Sequence, residues 1–142
     1  MTGKDDYMGK DWYLSVILKR WSPLFAWIVL IFALSSIPDV TPGDMKLPAG
    51  TDKAVHFIEY GILAILFLRG LSYDHKRLSR TLVLAAILTG AGVGYMDELY
   101  QGSIAGRDSS YFDLAADIAG VLTGSLLYAA KRKRDIGRDR DR

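Results

Sequence analysis

The chain has no cysteine and only two histidines among its 142 residues. The first absence excludes a disulfide framework and any thiolate metal site, so redox chemistry cannot say which compartment a loop faces. The second leaves His56 and His75 at opposite ends of the helical pattern developed below, which argues against a histidine-based zinc site. Proline is sparse and placed: Pro23 falls near the start of an apolar run, and Pro38, Pro42 and Pro48 make the stretch after that run irregular. No repeat of fixed period is present. Net charge is only +2, and the strongly basic stretch, residues 131–142, directly abuts an apolar run. That position suits attachment to a membrane surface better than nucleic-acid binding, and no nucleic-acid partner is expected.

What the chain does have is apolar sequence in long runs. Half of its residues are apolar and 24% are charged, with a mean hydropathy of +0.13, but this average conceals segregation of the charges into a few stretches. Residues 21–37, 52–71, 80–101 and 112–130 approach the roughly 20 helical residues needed to cross a hydrocarbon layer of about 30 Å. Each is bounded by charge or by turn residues. The expected fold is all-α: a polytopic membrane protein with four transmembrane helices in a bundle. Residues 1–20 read as a cytoplasmic leader, either a short interfacial helix or a partly ordered segment, residues 21–130 as the four-helix domain, and residues 131–142 as a basic cytoplasmic tail. Lys19 and Arg20 ahead of an apolar core ending in Ala33-Leu34-Ser35 also fit a cleaved signal peptide, which would leave three spans in the same orientation. Fifteen of the 18 Lys and Arg residues lie before the first run, in the stretch from Arg69 to Arg80 around the second connection, or in the tail. The positive-inside rule then predicts both termini inside, with the first and third loops outside.

Against this background the acidic residues stand out. Asp52, His56, Glu59, Asp97, Glu98, Asp113 and Asp117 lie in or at the ends of the apolar segments, where an ionisable group costs several kcal/mol unless it meets a partner or water. Up-down topology brings the start of the second span, the end of the third and the start of the fourth to one membrane face. Asp52, His56, Glu59 and Tyr60 form one helical stripe, and Asp113, Asp117, Gly120 and Gly124 another. Ala86, Gly90, Gly94, Asp97 or Glu98, and Gln101 form a third. The pairs Gly90-xxx-Gly94 and Gly120-xxx-Gly124 allow close helix packing. The inner halves are therefore expected to pack, and the outer halves to make a polar pocket. A ligand-free network of interhelical hydrogen bonds is the plain alternative, at about 0.6 kcal/mol per contact. Six carboxylates with only Lys53 and Arg107 as nearby cations exceed what such a network requires.

Asp52-Lys53-x-x-His56-Phe57-x-x-Tyr60, Asp97-Glu98-x-x-Gln101, Gly106-Arg107 and Asp113-x-x-x-Asp117-x-x-Gly120-x-x-x-Gly124, with Ser35-Ser36-x-Pro38 closing the first span, resemble the VanZ-like family of small bacterial membrane proteins. Gly102 to Ala105 depart from that pattern, which carries a bulky residue after the glutamine and a proline before the glycine. The resemblance implies a multi-pass protein of the bacterial cytoplasmic membrane, and the family's namesake is associated with low-level resistance to teicoplanin. Some members carry a phosphotransbutyrylase label, but acyl-CoA chemistry needs a soluble cofactor site that this chain has no room to build.

Three functions compete. An outward-facing acidic pocket, with Arg107 at its mouth and Tyr60, Tyr95, Tyr100 and Tyr111 around it, suits an amphipathic envelope lipid, a lipid-linked cell-wall precursor or a lipoglycopeptide. Arg107 would then grip a phosphate or carboxylate, unless it merely pairs with Asp108 or Asp113. Alternatively, Asp97, Glu98, Asp113 and Asp117 could hold magnesium, manganese or calcium in an intramembrane enzyme acting on a lipid-linked phosphate or ester. His56, Glu98 and Asp117 are then the catalytic candidates, and a nucleophilic serine at Ser103, Ser109 or Ser110 a remoter one. The third is proton-coupled movement of a lipid or drug through Glu59 and His56, which would call for a homo-oligomer.

Overall fold

A computed structural model describes residues 4–37, 50–73, 78–107 and 109–140, with side chains from residue 14 to residue 138. His75 and Asp108 fall outside it. The described residues form four α-helices, α1 (Lys4–Ser35), α2 (Thr51–Leu71), α3 (Arg80–Gln101) and α4 (Tyr111–Arg140), with no strand among them. Each contains a stretch long and apolar enough to cross a membrane: Leu14–Ser35, Thr51–Leu71, Arg80–Gln101 and Tyr111–Arg138. Phe25, Val29, Leu84, Leu88, Leu126 and Leu127 stand exposed on the outside, as side chains facing lipid would.

The helix ends differ from expectation at two places. The leader and first span are one continuous helix, so Pro23 sits inside α1 rather than near its start, where it removes one backbone hydrogen bond that membrane helices tolerate losing. At the other end α4 runs on through the basic tail to Arg140. Lysine and arginine are good helix formers and are favoured near a helix C-terminus, so nothing stops the helix at residue 130.

Helix α4 packs against α2 and α3, and α1 packs against α2 and α3 from the other side. The α2–α4 contact runs backbone on backbone. A methyl group added at Gly120 would overlap the carbonyl of Phe57, and one at Gly124 would overlap that of Gly61. Gly90 accommodates Val121, and the core grows from Leu24, Ile31, Tyr60, Leu63, Ala64 and Val121. At the end remote from the acidic residues, Arg20 Nε donates to Gly70 O at 2.6 Å while its guanidinium stacks on Trp21 and Tyr73. Trp21 lies over Gly70, and Ser72 shares a hydrogen bond with Tyr128 at 2.8 Å.

These contacts separate two glycine substitutions that composition alone would treat alike. Gly124→Ala should destabilise the bundle by about 1–3 kcal/mol through overpacking, whereas Gly92, with open space around its Cα, should accept alanine with a gain of up to about 1 kcal/mol. Denaturation in detergent micelles measures both, and equal behaviour of the two variants would contradict the backbone contact.

Candidate functional site

The C-terminal ends of α1 and α3 and the N-terminal ends of α2 and α4 meet at one end of the bundle, and the acidic residues gather there. Their side chains separate into a rim and a buried centre. On the rim, Asp52 is exposed and pairs with Lys53 Nζ at 2.8 Å; Lys53 reaches across to Asp113 Oδ1 at 2.9 Å, joining α2 to α4. Asp113 is thereby held at the rim, and Asp52 does not belong to the centre.

Asp97 and Asp117, both 0% exposed, define that centre. His56 Nδ1–H donates to Asp117 Oδ1 at 2.9 Å, which ties α2 to α4. Asp117 lies against Gly94: a Cβ there would stand 2.9 Å from Asp117 Oδ2. The small residue on α3 therefore makes room for a carboxylate. Asp97 Oδ2 accepts from Ser35 Oγ and from Gln101 Nε2, each at 2.9 Å, and Gln101 Nε2 also approaches Ser35 Oγ at 3.2 Å. Glu98 Oε2 accepts from the backbone N–H of Ser110 at 2.8 Å, just ahead of α4.

Four buried oxygens in this region find no hydrogen-bond partner: Asp97 Oδ1, Glu98 Oε1, Asp117 Oδ2 and the Tyr60 hydroxyl. Leaving such atoms unpaired costs about 1–3 kcal/mol each, and more when they are charged. One ligand atom each from His56, Glu98 and Asp117 lies within 4.8 Å of the other two. Glu59, half-buried, contributes its main chain to the packing, its carbonyl accepting from Trp27 Nε1 at 2.9 Å.

A family model described as VanZ/LLP1 matches residues 19–132. The chain belongs to the VanZ/LLP1 family. No curated protein and no solved structure matches it. The match reaches from α1 into the basic part of α4, so this VanZ/LLP1 protein is a multi-pass membrane-helix bundle over the whole of its polar end.

Several residues are not where the spacing alone would put them. Arg107 pairs with no carboxylate among the described residues: its guanidinium donates to the carbonyls of Leu34 at 3.3 Å and Ile37 at 3.1 Å, closing the end of α1. Tyr95 and Tyr111 face outward, while Tyr100 bonds Ser36 at 2.8 Å and packs on Phe32. Among the serines, Ser103 Oγ turns back to the Tyr100 carbonyl and Ser109 is exposed. The serine inside the centre is Ser35, which sequence reasoning missed as a site residue, although the Ser35-Ser36-x-Pro38 pattern had marked the spot. Ser35 is the last residue of α1, so the first span contributes a donor to the buried network.

Ser35→Ala removes one of the two donors to Asp97 Oδ2. The expected cost is about 1–3 kcal/mol, read as a lowered thermal midpoint, while Ser36→Ala at the exposed neighbouring position should change it by less than about 0.5 kcal/mol. Equal effects would remove Ser35 from the network.

Proposed function

We propose that this protein binds an amphipathic molecule of the bacterial cell envelope, a lipid-linked cell-wall precursor or a lipoglycopeptide antibiotic of the teicoplanin type, at the polar end of the bundle. The observation that carries the reading is the set of unpaired buried oxygens at the polar end, and an apolar groove that starts at the remote end of the bundle comes within one helical turn of that end. A groove of about 760 Å³ opens between α1, α2 and α3 and is walled by Trp21, Phe25, Ile28, Phe67 and Val93 among others. Val93 lies one turn, about 6 Å, from Asp97 along α3, and Leu63, also in the wall, lies one turn from Glu59 along α2. A ligand whose hydroxyl or amine donors meet the carboxylates can therefore lay an acyl or prenyl chain along the same helices.

The site faces the non-cytoplasmic side of the bacterial cytoplasmic membrane in this reading. Support comes from the loops: Arg69, Arg80 and the tail cations cluster at the end remote from the site, and Lys53 and Arg107 are bound up in local contacts at the near end. The absence of native cysteine makes the orientation directly testable. A cysteine at Ser103 should react with a membrane-impermeant maleimide in intact cells, and one at Lys133 only after permeabilisation; the reverse pattern would invert the topology.

For the ligand, loss of the protein should raise sensitivity of its host to teicoplanin-type drugs, and Asp97→Asn should fail to restore resistance. Purified protein in nanodiscs should bind the drug or the precursor, return it chemically unchanged, and lose about tenfold in affinity, or 1.4 kcal/mol, on the same substitution. Recovery of a cleaved or dephosphorylated product would replace binding by catalysis.

A further inference from the structure

Three buried carboxylates, those of Asp97, Glu98 and Asp117, and one imidazole converge at the centre, and among the described residues no cationic side chain balances them. The two cations described at this end are committed elsewhere, Lys53 to Asp52 and Asp113, Arg107 to main-chain carbonyls. Asp117 is fully buried and Glu98 4% exposed, and each keeps one oxygen, Oδ2 and Oε1, without a hydrogen-bond partner. His56 is 5% exposed, and its Nδ1 stands 2.9 Å from Asp117 Oδ1, the separation of two neighbouring ligands on one ion, so that Nδ1 becomes the ligand once its proton is displaced. The three side chains come from three different helices, α2, α3 and α4, so their proximity is produced by packing and not by local sequence.

We infer that His56, Glu98 and Asp117 form a binding site for one divalent transition-metal ion, buried among the three helices. With one ligand atom each within 4.8 Å of the others, closure onto an ion at about 2.0–2.2 Å from each needs only small side-chain movements. A divalent ion balances the two carboxylates and gives the orphaned oxygens a partner, which lipid cannot. The donor set also selects among ions. A purely oxygen site would favour magnesium or calcium, whereas one nitrogen with two carboxylate oxygens favours zinc or manganese, in the order of zinc above manganese. Asp113 and Asp97, which residue spacing alone would include, are left outside, the first held by Lys53 and the second by Ser35 and Gln101. Three protein ligands leave at least one coordination position open toward a bound molecule.

The test uses the full chain purified in detergent, stripped with a chelator and titrated with zinc, manganese or magnesium chloride, with no lipid ligand present. Expected are about one zinc per chain by elemental analysis after desalting, weaker manganese and still weaker magnesium. Cobalt(II) should give the visible absorption of a low-symmetry, low-coordinate site. His56→Gln, Glu98→Gln and Asp117→Asn should each lower zinc affinity by at least roughly tenfold, and Asp113→Asn should leave it unchanged. Where a centre variant does not fold, the cobalt spectrum of the unaltered protein and the Asp113→Asn control decide. Absence of stoichiometric metal, cobalt in an octahedral aquo-like environment, or equal loss in Asp113→Asn would each overturn the assignment and point to protons as the balancing charge. Because no envelope ligand enters the titration, its failure leaves ligand binding standing, and failed ligand binding leaves the ion site standing.

Discussion

A carboxylate inside a membrane must be given a donor, a counter-charge or a proton, and this bundle is arranged around that demand. Asp117 meets His56, Asp97 meets Ser35 and Gln101, Glu98 meets the backbone of Ser110, and Asp113 meets Lys53. Every one of these contacts except the one between Gln101 and Asp97 crosses from one helix to another or to a connecting loop. The polar groups consequently decide which helix ends come together, while the apolar surface decides only that there are helices. In lipid, where apolar side chains gain little from leaving one another's company for acyl chains, that division of labour is expected.

The remaining architecture serves to let the acidic side chains approach. Glycine at 120 and 124 brings α4 onto the backbone of α2, and Gly94 opens a place on α3 for the Asp117 carboxylate. Helix α1 completes the enclosure from the other side and supplies Ser35, its last turn secured by Arg107 and its middle tied to the end of α2 by Arg20. Two arginines thus hold helix ends through main-chain carbonyls, satisfying acceptors that the last turn of a helix leaves open.

The all-helical fold was legible because four apolar runs of spanning length are hard to place otherwise. The acidic stripes were legible too, since side chains four residues apart on a helix must share a face. What spacing could not supply was the pairing. Whether Asp113 or Asp97 joins Asp117 depends on how far each helix is rotated, and Lys53 and Ser35 decide it by taking those carboxylates for themselves. Arg107 looked like a ligand anchor because arginine in a polar loop usually seeks an anion; the carbonyls it meets carry no mark in the sequence. Gly61 was passed over for a related reason, because its role appears only when α4 is laid against it. A helix before residue 21 was one of two readings of the leader, but its continuity with the first span, and the run of α4 beyond residue 130, were not read, because charge ends a membrane span without ending a helix.

The contrast between two kinds of packing has a mechanical consequence. Helices α2 and α4 touch main chain to main chain, with no layer of side chains to compress or rearrange, so the spacing of His56 and Asp117 is as stiff as the backbone itself. Helix α1 is moored by an indole and two guanidinium groups, whose rotamers can change. When the host alters the thickness of its bilayer, the resulting mismatch will be absorbed as tilt of α1, widening or narrowing the groove beside it while the imidazole and its carboxylate keep their separation.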